Sequence, residues 1–176
     1  MQISRAKLLG TGTALAMIGP ALLGPFITAA EAATEGDIAI LQFAAKSERT
    51  AIKAYTDAAG TGLLSPGVLA VAKGFMADHT AHRDALEGAI KAAGVTPETG
   101  VIAVTYPPLK TESDILNFAQ TLERGAASAY LGSIPKLQDR NLAQVAGSIL
   151  GVETTHVAIL AYTLTKTTEP YKSFVA

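Results

Sequence analysis

Residues 142–163 read LAQVAGSILGVETTHVAILAYT, and one line through them decides the fold. Leu142, Ala146, Ile149, Glu153, His156, Leu160 and Thr163 follow one another in steps of four and three. Such steps keep side chains on one helix face, the face that an amphipathic helix buries. Glu153 and His156 interrupt the stripe at its middle, three residues apart. A polar group taken out of water without partners costs roughly 2–7 kcal/mol, so both side chains have to be satisfied inside the fold. Their partners must come from other helices at the same level.

Three further segments offer them. A helix predicted over about 36–59 has the seam Ile38, Leu41, Ala45, Glu48, Ile52 and Tyr55, with one glutamate among apolar residues. Gly60-Thr61-Gly62 ends it. A second helix begins near Ser65-Pro66, a cap residue followed by a first-turn proline. Its seam runs Val68, Ala72, Phe75, His79, His82, Leu86, Ile90, and Gly94 closes it. Asp78 stands one residue off that seam, about 100° around the helix. A third helix begins near Ser113 or Asp114, with the seam Leu116, Ala119, Glu123, Ala126, Tyr130, Ile134 and Leu137. Pro135 kinks or shortens its last turn, and Asp139 or Asn141 caps the fourth helix.

Between the second and third helices, residues 95–111 contain Pro97, Pro107 and Pro108 and few helix signals. At about 3.3 Å per residue this segment reaches roughly 56 Å, beyond the ~38 Å of a 25-residue helix. It reads as a crossover that climbs the side of a bundle, with 101–105 its one candidate for extended structure. The expected fold is all-α: an antiparallel four-helix bundle with a long crossover between helices two and three.

The seam residues that are not apolar are Glu48, His79, His82, Glu123, Glu153 and His156, each near the middle of its helix. The chain has three histidines, and all three belong to this set. Oxygen and imidazole donors without sulfur suit iron, manganese, zinc or copper. The competing reading is a buried hydrogen-bond network with no ion. Tyr55, Tyr130 and Tyr162 near these stripes are read as core aromatics with satisfied hydroxyls; the functional alternative makes one of them a donor to the outer side of the site or an electron relay. Arg49, Arg83 and Arg124 each follow a residue at this level and are read as solvated helix-face charges, with the steadying of outer carboxylates as the alternative.

Bulk properties agree with a helical domain. The 176 residues are 49% hydrophobic and 16% charged, enough apolar material for a core and too little charge for a disordered chain. A net charge of -1 offers no basic footprint for nucleic acid. With no cysteine, a disulfide scaffold, a thiolate zinc site and a cysteine nucleophile are excluded.

The N-terminus reads as a targeting segment, 1–32. Arg5 and Lys7 precede an uncharged run from Leu8 to Ala30, and Ala30-Glu31-Ala32 is a small-x-small cleavage site. Gly19-Pro20 and Gly24-Pro25 interrupt the run, which argues for cleavage over a retained membrane anchor. Ser4-Arg5-Ala6-Lys7-Leu8-Leu9 is similar to a twin-arginine signal lacking its second arginine, so the export route stays open. Loss of Arg5, Lys7 and Glu31 leaves a mature domain, 33–176, with 12 basic and 14 acidic residues. The expected location is periplasmic or extracellular, with no membrane contact after cleavage; monomer and homo-oligomer both stay open.

The order Glu48, then His82 closing an x-x-His step, then Glu123, then Glu153-x-x-His156 resembles the ferritin-like di-iron carboxylate proteins. In those bundles a Glu from each of two helices joins a Glu-x-x-His pair from each of the other two. Leu122-Glu123 through Ala129-Tyr130, and Asp78 through Leu86, are similar to the exported, desiccation-related branch of that family. The resemblance covers residues 36–165. It implies Glu48 and Glu123 as terminal ligands, His82 and His156 as one ligand to each ion, and Glu153 as a bridge. It implies two iron or manganese ions as cofactor. The second bridging carboxylate of the family would stand at position 79, which is histidine here. A neutral imidazole ligates through one nitrogen and bridges only as imidazolate. Three glutamates also leave two divalent ions at +1. An altered dimetal site, a mononuclear site, or a preference for zinc or copper is therefore expected. The implied function is metal-dependent redox chemistry on iron, oxygen or peroxide. The alternative is a non-enzymatic metal-binding, stress-protection or structural envelope protein with a degenerate site.

Overall fold

The structure is a computed structural model that describes residues 33–165; the expected signal segment and the tail from Lys166 lie outside them. Four helices follow in order: α1 (Glu35–Gly60), α2 (Pro66–Ala92), α3 (Glu112–Ser133) and α4 (Arg140–Thr165). There is no strand among the described residues, so 101–105 is irregular. The expected all-α bundle and its crossover are what the chain forms.

Local chemistry sets the helix ends. Thr34 and Asp37 exchange side-chain and backbone hydrogen bonds in a capping box at the start of α1. Thr111 and Asp114 do the same at the start of α3, which therefore begins at Glu112, slightly before the position expected from its seam. Pro66 occupies the first turn of α2 behind Ser65. That helix ends with Gly94 at φ 77°, where the Val95 and Gly94 amides donate back to Ile90 and Lys91. Pro135 tightens the end of α3 into a 3-10 turn, Ile134–Lys136. Asp139 caps α4 by accepting from the Asn141 amide at 2.7 Å.

The crossover runs beside α1 from one end of the bundle to the other. Gln42 holds it near the bottom through Thr96 and Glu98, Thr50 accepts from the Ile102 amide halfway, and Asp57 accepts from the Tyr106 hydroxyl near the top. It delivers Glu112 to the backbone of Ser65, at the end where α1 finishes and α2 starts. The other end of α3 returns to the start of α1, where the Gln138 amide donates to Asp37 at 2.8 Å. α3 thus lies antiparallel to α1, and α2 and α4 complete the bundle.

The core has two apolar parts. One end packs Leu41, Leu86, Ile90, Tyr130, Leu142 and Ile149. The other packs Tyr55, Ala72, Phe75, Leu116, Ala119 and Leu160. Between them, every helix gives up its central seam position to a polar side chain. A fully buried aliphatic side chain stabilises a fold by about 1.5–3 kcal/mol. Six such contributions are forgone in this layer, so it serves something other than packing.

Candidate metal centre

Glu48 from α1, His79 and His82 from α2, Glu123 from α3, and Glu153 and His156 from α4 all meet in this layer, each no more than 4% exposed. Antiparallel packing brings mid-helix residues to one level, which is why seam position alone predicted the set.

Their donor atoms form two overlapping groups. Glu48, His79, His82 and Glu153 place one ligand atom each within 4.8 Å of one another, and so do His79, Glu123, Glu153 and His156. The two groups share His79 and Glu153. Around the first, His79 Nδ1 lies 2.8 Å from Glu48 Oε2, and His82 Nδ1 lies 3.1 Å from Glu153 Oε1. Around the second, His79 Nε2 lies 3.2 Å from Glu123 Oε1, and His156 Nδ1 lies 3.3 Å from Glu123 Oε2.

Hydrogen bonds do not satisfy this layer fully. Among the described residues, His82 Nδ1 and both oxygens of Glu153 are buried without a hydrogen-bond partner. The close approach of His82 to Glu153 lacks hydrogen-bond alignment. Native cores rarely leave such atoms unpaired, and three in one place ask for a common partner. Two carboxylate oxygens and an imidazole nitrogen are lone-pair donors that a divalent cation would satisfy at once. The residues present therefore fit a metal ion.

Surrounding side chains hold these donors in place. The Tyr55 hydroxyl donates to Glu123, and the Tyr130 hydroxyl donates to Glu48. Each tyrosine thus serves the glutamate of the opposite helix; helical side chains lean toward the N-terminus, which brings both hydroxyls back to the layer. Tyr162, by contrast, is exposed. The Tyr55 ring stacks on His79 and the Phe75 ring on His156. Asp78 reaches His156 Nε2 at 3.2 Å from the rim, where its side chain is 35% exposed. Leaving the seam did not take it out of the site: it contacts the outer nitrogen of a histidine on another helix. Arg49 is not a solvated charge. Its guanidinium pairs with Glu87 at 2.7 Å and is largely buried between α1 and α2. Arg83 lies at the same surface, beside Asp84 and Glu87.

Charge in the layer is internally balanced. Burial works against charged His79, but its hydrogen bonds to Glu123 and Glu48 prevail and hold its pKa well above the usual histidine range. Burial also works against charged His82 and His156, but the nearby carboxylates of Glu153 and Glu48 lift His82 to about 9, and His156 is lifted to about 10 with Asp78 as its foremost partner. Burial alone would raise Glu48, yet His79 and His82 bring it down to about 2. Glu153 is raised, because burial outweighs its neighbours. These groups favour histidine protonation at neutral pH and would exchange those protons for a cation.

A cavity of about 300 Å³ opens at the Tyr55 and Phe75 end of the bundle, lined by Val68, Ala72, Leu116, Ala119 and Leu160. The two rings that touch His79 and His156 form part of its wall.

The ferritin-like domain family matches residues 36–166. Comparison with curated proteins returns no match. Among solved structures, a conserved hypothetical protein from Mycobacterium tuberculosis superposes with a TM-score of 0.67 at 20% identity, covering 80% of this chain and 98% of its own. A protein from Bacillus anthracis strain Ames, described as ferritin-like and diiron-carboxylate, superposes with a TM-score of 0.62 at 21% identity, covering 73% and 94%.

Proposed function

The chain belongs to the ferritin-like domain family, and from that premise we propose that it is an exported metalloprotein with redox chemistry on iron, dioxygen or peroxide. The observation that carries the reading is the pair of four-donor groups sharing His79 and Glu153, with unpaired donor atoms at their centre. Glu48 and His82 would hold one divalent ion, Glu123 and His156 the other, and Glu153 would contact both. Bound there, such ions supply Lewis acidity and, if iron, manganese or copper, electron transfer. The chain supplies the rest. Tyr55 and Tyr130 orient the terminal carboxylates, Asp78 orients His156, and the apolar layers on both sides limit water. The description of the Bacillus anthracis relative supports a dimetal site, while the charged start and uncharged run of 1–32 support export.

Metal content per chain, measured by elemental mass spectrometry on protein purified without chelator, tests this reading. About two transition-metal ions per chain, with peroxide or oxygen consumption, is the expected result. Absence of any stoichiometric metal overturns it.

One observation favours a second reading. Histidine at position 79 removes a carboxylate from the family pattern, and its contacts to Glu48 and Glu123 already tie the layer together. A non-enzymatic envelope protein with an inert zinc or copper ion, acting in stress protection, would fit that substitution. Tightly held metal without turnover distinguishes it.

A further inference from the structure

We infer that His79 is a metal bridge, its ring joining two ions through Nδ1 and Nε2 in place of a second bridging carboxylate. The inference rests on the metal-binding reading above and specifies how that site is built.

His79 is the one histidine of the layer with both ring nitrogens turned to ligand carboxylates. Its Nδ1 faces Glu48 Oε2 at 2.8 Å and Glu153 Oε1 at 3.6 Å. Its Nε2 faces Glu123 Oε1 at 3.2 Å. The other two histidines each serve one side. His82 Nδ1 approaches Glu48 and Glu153 Oε1 only. His156 Nδ1 approaches Glu123 and Glu153 Oε2, and its Nε2 is taken by Asp78. Glu153 divides its oxygens in the same way, Oε1 toward His79 and His82, Oε2 toward His156. The two residues shared by the donor groups are thus the two whose donor atoms point to opposite sides.

The ring is held in that orientation. Tyr55 stacks on it at a centroid distance of 5.6 Å, and the edges of His82 and His156 approach at 6.0 and 5.4 Å. Each half-site then offers two nitrogens and two oxygens. This set is richer in nitrogen than a carboxylate-dominated di-iron site and suits copper or zinc. Charge agrees: three glutamates and one imidazolate neutralise two divalent ions, whereas neutral His79 would leave a buried positive charge without a counterion. Forming the bridge breaks the last ring N–H bond as the second ion binds, and the proton passes to solvent.

Copper(II) is the probe. The full protein is loaded with two copper ions per chain, or with one copper and one zinc, and its electron paramagnetic resonance is recorded frozen. Magnetic coupling through the bridge should remove most of the isolated-copper signal from the dicopper form and give a half-field line. The copper–zinc form should show the full isolated signal. In His79→Gln, which keeps Glu153 as a weaker carboxylate bridge, most of the coupling should be lost. Two full, uncoupled signals in the parent protein overturn the bridge. So does coupling of undiminished strength in His79→Gln, which would assign it to Glu153 alone. Failure to retain any of copper, zinc, iron or manganese overturns instead the metal-binding reading beneath it.

Discussion

Glu153 and Asp78 contribute to the same site at different distances, and that difference can be measured. Glu153 is fully buried and neither oxygen has a hydrogen-bond partner, which suits a carboxylate that contacts a cation. Glu153→Ala and His156→Ala should each remove most metal binding while the helices persist; unchanged metal content in both variants would exclude the site. Asp78 touches only the outer nitrogen of His156. Partners of that kind orient a ligand and raise its basicity, and losing one typically weakens metal affinity about 10–100-fold. Asp78→Asn should therefore lower affinity within that range without changing stoichiometry. Asp84→Asn, on the exposed side of the same helix, serves as the control. His79→Glu restores a carboxylate at the shared position and should raise iron retention toward two ions per chain. If it holds no more iron than the parent, the chemistry assigned to position 79 is wrong.

Helix ends and the central layer are independent parts of this bundle. Asp37 closes the capping box of α1 and accepts from the Gln138 amide, tying the start of α1 to the turn between α3 and α4. A cap is worth about 0.5–2 kcal/mol, and this one carries an added long-range hydrogen bond. Asp37→Ala should lower stability in urea unfolding by about 2 kcal/mol and leave metal stoichiometry unchanged; a loss of metal would show the layer to depend on the helix ends. Helices and site were legible in the sequence for one reason: the seam of each helix is written in steps of three and four, and packing brings mid-seam residues to one level. What crosses between helices was not legible. The two Thr-x-x-Asp boxes leave no mark on the apolar periodicity, although Thr34 and Asp37, and Thr111 and Asp114, stand at the right spacing. The reach of Asp78 to His156, the crossed Tyr55–Glu123 and Tyr130–Glu48 bonds, and the Arg49–Glu87 pair depend on side-chain directions between helices, which no single-helix periodicity encodes. Ala126 was assigned to the seam where Ala127 is the fully buried residue, a one-position drift along α3.

At the scale of the whole molecule, a metal bound as proposed would compete with protons for one layer, and the competition has a definite sign. Burial opposes charge on His82 and His156, but neighbouring carboxylates raise them to about 9 and about 10 from 6.5. Groups raised in this way stabilise the fold fully below about pH 6.5, and their contribution is lost as pH rises through the raised values. Glu48, lowered to about 2 from 4.5, contributes above 4.5 and loses its contribution as pH falls through about 2. Without metal, the layer should be most stable between these limits, from about 4.5 to about 6.5. Metal reverses the alkaline branch. A cation must displace the histidine protons, so its affinity rises with pH as that displacement becomes easier. A ligand that binds only the folded state stabilises in proportion to the logarithm of its affinity. The difference in Tm between zinc-loaded and chelator-treated protein should therefore widen from pH about 6 to about 8. A difference that does not change with pH would mean that zinc does not bind at these histidines. The proton count resolves the site further. With all three histidines protonated before binding, His82 and His156 would release one proton each, and His79 two if it bridges but one if it ligates through a single nitrogen. Calorimetry of zinc binding near neutral pH, repeated in buffers of different ionisation enthalpy, should give about four protons per two ions for a bridge and about three without one.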